Sequence, residues 1–249
     1  MIAVRSGFAL VLLCLAAAVA QATETERVHK VVPLGPGGTV KLSNFSGEVR
    51  ITGADVHEVT VDAVRRASRD RLDHIKLDVS TSGSTVTIDA NKKDEGWTAL
   101  NNNVVETDLD IQVPRQTALH VKVFSSAVKV RGVSGEQTIQ TFSGDARVED
   151  VAARIQAKTF SGSVGIRVAP GTSAAEAEIE TFSGSINLML PEGVRAALVF
   201  DSFSGQLTSD WGLTLREQKK GHLRAELNGG DPQRTIRLKT FSGDVKIGK

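Results

Sequence analysis

The residues of this chain that could do chemistry are five histidines, His29, His57, His74, His120 and His222, and an acid that recurs just after a Ser-Gly pair, at Glu48, Asp145 and Asp244. Histidines grouped with cysteine or carboxylate at fixed spacings would hold zinc. These stand singly, and none has such a neighbour at ligand spacing, so solvent-facing strand positions are expected for them. A row of carboxylates could offer calcium the several oxygens it takes. Ser163, Ser185 and Gln206 fill the same place in other copies, which makes ordinary turn chemistry the expectation. Serine is abundant, but no Gly-x-Ser-x-Gly elbow occurs. A glycan-cleaving site would need clustered acids with Arg or Lys in a cleft, and the chain has no Tyr and only Trp97 and Trp211 as broad platforms. The sequence therefore predicts no catalytic residue, no cofactor and no metal site.

The segments around these residues alternate. TVKLS, EVRIT, IKLDVS, STVTIDA, LHVKVF, SINLML and TIRLK place apolar residues two apart with polar ones between, the pattern of strands with one dry and one wet face. Short turn signals punctuate them, among them PLGPGG (33–38), TSGS (81–84), APGT (169–172) and NGGDP (228–232). Many short strands so punctuated mean an all-β protein. Two stretches break the rhythm: 62–76, mixed in charge with a short helical turn expected at 67–73, and 91–103, polar and aperiodic. Both read as solvated connections, with a functional loop as the alternative.

A repeat organises the strands. Thr-Phe-Ser-Gly begins at Thr141, Thr159, Thr181 and Thr240, with SFSG at Ser202, NFSG at Asn44 and FSSA at Phe124. The corner residues are Phe45 and Gly47, Phe124, Phe142 and Gly144, Phe160 and Gly162, Phe182 and Gly184, Phe203 and Gly205, and Phe241 and Gly243. Outside the first 22 residues only Phe200 is a phenylalanine off this position. A period of about 20 residues reads as a solenoid, here a single-domain parallel β-solenoid whose coils hold two strands each. The interval from 203 to 241 then spans about two units and that from 45 to 124 about four, giving roughly ten coils over about 50 Å. Glycine frees the backbone for each corner. The Phe rings form one ladder and the preceding Thr residues a second. Large apolar side chains are normally buried, so the ring ladder is expected to face inward, where Phe160→Ala would cost about 3–5 kcal/mol. Outward rings would instead make a binding stripe. The Phe124 copy lacks Gly, so its corner should be distorted or should tolerate Ser126. Segment 25–44 and the final KTFSGDVKIGK are the expected end caps.

The first 22 residues have Arg5, then an apolar run of about 13 residues, then Ala20-Gln21-Ala22, the layout of a secretory signal peptide with cleavage marked by Ala20 and Ala22. Residues 23–249 form one domain, its repeats clearest over 118–249. Removing the leader takes away Cys14, the one cysteine, and Arg5, so the formal charge falls from +1 to zero. A neutral, cysteine-free product needs no disulfide and argues against nucleic acid or an anionic membrane as partner.

VVPLGPGGTVKLSNFSGEVRITG (31–53), VVETDLDIQVPRQTALHVKVFSSAVKVRGVSG (104–135) and ELNGGDPQRTIRLKTFSGDVKIGK (226–249) resemble the opening, middle and closing passages of the bacterial putative adhesin domain family. The resemblance implies a β-helical fold at the cell envelope, periplasmic or at the cell surface, and carries over no catalytic residue. A non-catalytic adhesin-like or scaffold protein is expected, meeting another envelope protein or a surface glycan, with self-association through the solenoid ends open. A β-helical polysaccharide-active enzyme or carbohydrate-binding protein is the alternative.

Overall fold

The structure, a computed structural model, describes residues 23–97, 103–172, 176–231 and 233–249. The expected signal peptide and its cleavage residues Ala20 and Ala22 lie outside them. The alternating segments form strands. First come β1 (Glu24–Pro33), β2 (Thr39–Ala54) and β3 (Glu58–Ala67), a short helix α1 (Arg69–His74), then β4 (Ile75–Ser82), β5 (Thr85–Lys93), β6 (Glu106–Pro114) and β7 (Ala118–Arg131). The repeats follow as strand pairs: β8 (Gln137–Ser143) with β9 (Ala146–Val151), β10 (Ile155–Ser161) with β11 (Val164–Val168), and β12 (Ala177–Ser183) with β13 (Ile186–Met189). Last are β14 (Ala196–Ser202), β15 (Leu207–Ser209), β16 (Leu213–Lys219), β17 (His222–Leu227), β18 (Thr235–Ser242) and β19 (Val245–Gly248). All belong to one hydrogen-bonded sheet, mostly parallel.

Pairing sorts the strands into two rows. Strands ahead of the corner run β5, the first half of β2, the first half of β7, β8, β10, β12, β18 and β14, each parallel to the next. Strands after the corner run β6, the second halves of β2 and β7, β9, β11, β13, β19 and β15, also parallel. Equivalent residues of successive repeats pair: Thr141 with Thr159, Thr159 with Thr181, and Thr181 with Thr240. The core lies between the rows. Each rung contributes a few aliphatic side chains, such as Ile155, Ala157, Val164 and Ile166, all at most 1% exposed. The alternation thus does two things at once: it selects strands, and it aims the same positions of every rung inward.

The rung order differs from the chain order in two places. Between Phe45 and Phe124 there are no four coils: β2 pairs directly with β7. The intervening residues add one further rung, β5 with β6, and then antiparallel strands β4 on β5 and β3 on β6, with β1 outermost on β3. At the other end the last repeat is no cap. Strands β18 and β19 insert between the rung of β12 and β13 and the rung of β14 and β15. The cap on that side is the antiparallel hairpin β16–β17, laid against β14. Of segment 25–44, β1 lies at the edge, whereas Thr39–Asn44 is interior. Eight rungs stack among the described residues, seven of them with a Phe ring, against the ten coils expected.

The irregular stretches are structured. β3 continues to Ala67, and α1 supplies the helical turn. Trp97 packs on a small second core of Ala67, Leu72, Ile75 and Val105, and its ring stacks on His74 at 5.4 Å. Residues 98–102 of the second stretch lie outside the described residues.

Candidate functional site

The corners are built by glycine. Gly144, Gly162, Gly184 and Gly243 have φ between +137° and +154°, the backbone region that glycine enters without a Cβ penalty. Crowding acts with conformation. A Cβ on Gly162 would collide with the carbonyl oxygen of Gly144, one on Gly184 with that of Gly162, and one on Gly243 with that of Gly184. Rungs stacked this closely leave no room for a side chain there. Ser126 escapes both constraints differently: its φ is not positive, β7 runs unbroken through the corner in register with β2, and its hydroxyl accepts from Asn44 Nδ2 at 3.4 Å.

The acids behind the glycine tie one rung to the next. Asp145 Oδ1 accepts from the Ser163 amide at 2.8 Å and Asp244 Oδ1 from that of Gln206 at 3.1 Å; Asp108, which follows Thr107 and not a glycine, does the same for the Glu48 amide at 2.9 Å. Ser185 and Ser163 bond through their hydroxyls at 3.0 Å. This is the expected turn chemistry, extended between rungs. Glu48 instead meets Arg50 and Lys129.

The two ladders face opposite ways. Thr141, Thr159, Thr181 and Thr240 are buried, and the Oγ1 atoms of Thr141, Thr159 and Thr240 have no hydrogen-bond partner. The rings point out. Phe45, Phe124, Phe142, Phe160, Phe182 and Phe241 are 40–48% exposed and Phe203 is 74% exposed, so the expected inward ladder is corrected. The reason is phase: in β10, Ile155, Ala157 and Thr159 take the inward positions, and strand alternation sends Phe160 outward. Truncating Phe160 therefore costs less than the loss of a fully buried ring. The buried phenylalanine is Phe200, the one outside the repeat.

The rings form one continuous stack in the order 45, 124, 142, 160, 182, 241, 203, with centroids 4.7–5.0 Å apart. From Phe124 onward neighbouring planes lie within 5° of parallel. Each interior ring lays its two faces against its neighbours in an offset stack, covering them in part, and offers its hydrogen-bearing edge to solvent. The result is an apolar ridge roughly 30 Å long, set by the inter-strand spacing. A groove of about 740 Å³ runs beside it along Phe160, Phe182, Phe241 and Phe203. Its far wall alternates in sign, Lys158, Glu180, Lys239 and Asp201 on neighbouring strands, with Lys158 Nζ 3.2 Å from Glu180.

The histidines are less isolated than their spacing predicted. His29 lies 2.7 Å from Asp62, His222 2.6 Å from Asp201, and His74 between Asp94 and Asp70 at 3.4 and 3.8 Å. His74 ends α1 and His57 lies between strands, so neither has the expected strand position. Register supplied these pairs: His29 faces Asp62 across β1 and β3, and His222 faces Asp201 across β17 and β14. Among the described residues no three His, Cys, Asp or Glu gather as metal ligands, and no helix is long and apolar enough to cross a membrane.

With rung, corner and ridge in view, the sequence pattern of one family fits twice, at residues 39–166 and again at 125–248. The chain belongs to the Toastrack DUF4097 family. The Toastrack pattern can match twice with overlap because neighbouring rungs repeat the same strand–corner–strand unit. Among solved structures, the chain is similar to a putative cell adhesion protein from Clostridium sporogenes (TM-score 0.51, 10% identity, covering 90% of this chain and 99% of that one). It is also similar to a putative adhesin from Bacteroides fragilis (0.38, 10%, 89% and 97%) and to a putative lipid binding protein from Parabacteroides distasonis (0.30, 10%, 90% and 97%). At such identities the first likeness conveys a shared Toastrack fold and nothing about activity. Curated proteins give no match.

Proposed function

We propose that this Toastrack protein is an exported, non-catalytic, adhesin-like scaffold of the cell envelope, a two-sided β-solenoid that binds another envelope protein along its phenylalanine ridge. The observation that carries this reading is the stack of seven outward rings. A contiguous exposed apolar stripe costs solubility and marks an interaction surface. Inward aliphatic residues already supply the core, so the rings are not needed to fill it.

The geometry favours a protein partner over a sugar. Sugars stack on aromatic faces, and here each face but those at the two ends is shared with the next ring, which leaves no open face broad enough for a sugar ring. Ring edges carry the positive side of the quadrupole and suit the faces of a partner's aromatic residues or its aliphatic side chains. The alternating charges of the groove wall would fix the partner's register. Export rests on the leader-like first 22 residues. The test is capture from envelope extract with the isolated protein and with a Phe142→Ser/Phe160→Ser/Phe182→Ser variant as baits. One protein should be retained by the first and lost by the second. Equal retention by both would reject the ridge as the binding surface, and reproducible glycan depolymerisation by the purified protein would reject the non-enzyme reading.

A further inference from the structure

The outer face of the strands after the corner, which does not carry the Phe ridge, has a row of side chains in register across six strands: Arg50, Lys129, Arg147, Gly165, Asn187 and Lys246. Two features of this row cost stability. Arg50, Lys129 and Arg147 are like charges on adjacent strands, and although Glu48 bridges Arg50 and Lys129, Arg147 shares no such acid with Lys129 and repels it. Gly165 sits inside β11, where glycine is worse than alanine by about 0.5–1 kcal/mol. Unlike the corner glycines, Gly165 has no positive φ, and a Cβ built on it would meet nothing within 4 Å. Neither conformation nor crowding demands it.

What glycine gives is a gap in the row. A depression of about 720 Å³ lies over Gly165, flanked by Lys129, Arg147, Arg167, Ser185 and Asn187, with the carboxylates Asp145 and Glu149 also on its lining, so cations exceed acids there by one. Interior glycines of strands often mark a place where a ligand approaches the backbone. The charges around it are unequally satisfied. Lys129 Nζ is 2.8 Å from Glu48 and Arg131 Nη2 is 2.7 Å from Glu149. Among the described residues neither Arg147 nor Arg167 has an acidic partner within 4.0 Å. Both are exposed. A guanidinium offers its donors in a planar fork that matches carboxylate and sulfate oxygens.

We infer that the depression over Gly165 seats an acidic sugar of a linear glycan, with Arg147 and Arg167 donating to its carboxylate or sulfate and Asn187 to a ring hydroxyl. The cations follow the stacking axis at the inter-strand spacing, so an extended chain lying across the strands meets Lys129 and Arg147 on one side of the gap and Lys246 on the other. No aromatic side chain lines the depression, so neither bases nor sugars can stack there and recognition rests on the guanidinium and amide donors. The site is on a different face from the Phe ridge, so either reading can fail alone.

The test uses the protein as isolated from expressing cells, titrated with a heparin-derived hexasaccharide, an oligogalacturonate, neutral maltohexaose, single-stranded DNA and phosphatidylglycerol vesicles. Binding is expected for at least one of the two acidic oligosaccharides and for neither maltohexaose, DNA nor vesicles. Arg147→Gln/Arg167→Gln should weaken it about a hundredfold, each lost charged hydrogen bond being worth about tenfold. Gly165→Val fills the gap with a strand-favouring side chain, and should weaken binding comparably without lowering Tm; Phe160→Ser should leave binding unchanged. Absence of binding to both acidic oligosaccharides, undiminished binding by Gly165→Val or the Arg variant, or equal binding to DNA or vesicles would overturn the assignment.

Discussion

Phe182 stacks on Phe241 with centroids 4.7 Å apart, although Phe203 is the next repeat phenylalanine along the chain; Phe203 stacks on the far side of Phe241. The last repeat has slid into the ladder one rung from its end. Its strands meet β12 and β13 on one side and β14 and β15 on the other, so the carboxyl-terminal residues are locked between rungs and exposed sheet edge is left to shorter strands, a protection against edge-to-edge pairing.

Rung order can be read by cross-linking. Ser183 and Ser242 are paired residues on parallel strands, and both are exposed. Neighbouring strands bring Cα atoms within disulfide range, and beyond Cys14 no native cysteine competes. Ser183→Cys/Ser242→Cys should oxidise to an intramolecular disulfide seen as a mobility shift on non-reducing gels. A double variant that stays reduced under oxidant would place the last repeat elsewhere.

Two glycines three residues apart should respond oppositely. Gly162→Ala forces a Cβ toward the Gly144 carbonyl at a φ of +142° and should cost about 1–3 kcal/mol or more. Gly165→Ala meets open space and should stabilise by about 0.5–1 kcal/mol. Urea unfolding of both variants checks this; equal effects would show that the corners are not crowded by the neighbouring rung.

The buried threonine ladder invites isosteric replacement. Thr159 Oγ1 is buried and has no partner, and such a group is held at a desolvation cost. Thr159→Val keeps the β-branch and should raise stability by up to about 1 kcal/mol. A clear loss would mean that the hydroxyl makes a bond that matters to the corner.

Acid should weaken the fold through its inter-rung ion pairs. The Lys129 hydrogen bond at Glu48 and the Arg131 hydrogen bond at Glu149 hold these carboxyls below their ordinary 4.5 against some desolvation. A lowered folded-state pKa gives stability that is full above the unfolded value and is lost as pH falls through the folded one. The urea midpoint should therefore decline below pH 4.5, and Arg131→Gln should flatten that decline. An unaltered acid limb in the variant would remove Glu149 from the account.

Much of this was legible in the chain, for reasons visible at single residues. Val40 and Leu42, or Ile186 and Leu188, alternate with polar neighbours and are buried as alternation requires. The corners were legible because Phe-Ser-Gly recurs where glycine is sterically required. The outward phase of the rings was also written there: Gln137, Ile139 and Thr141 are buried, which leaves Phe142 no inward place. The general tendency of large apolar residues to be buried pointed the other way, and strand phase prevailed. Rung order was not legible, because Thr181 pairs as well with any Thr-Phe-Ser-Gly partner, and only the hairpin β16–β17, laid against β14, puts the last repeat beside it. The depression over Gly165 was missed because its flanking cations come from different strands and become neighbours only through register.

Oxidative footprinting of the phenylalanine rings, in the free protein and again with its captured envelope partner bound, tests the central claim most directly. The seven stacked rings should be labelled in the free protein, Phe203 most and buried Phe200 least, and Phe142, Phe160 and Phe182 should be shielded in the complex. Rings as unreactive as Phe200 when free, or labelled equally with the partner bound, would contradict an outward ridge built for binding.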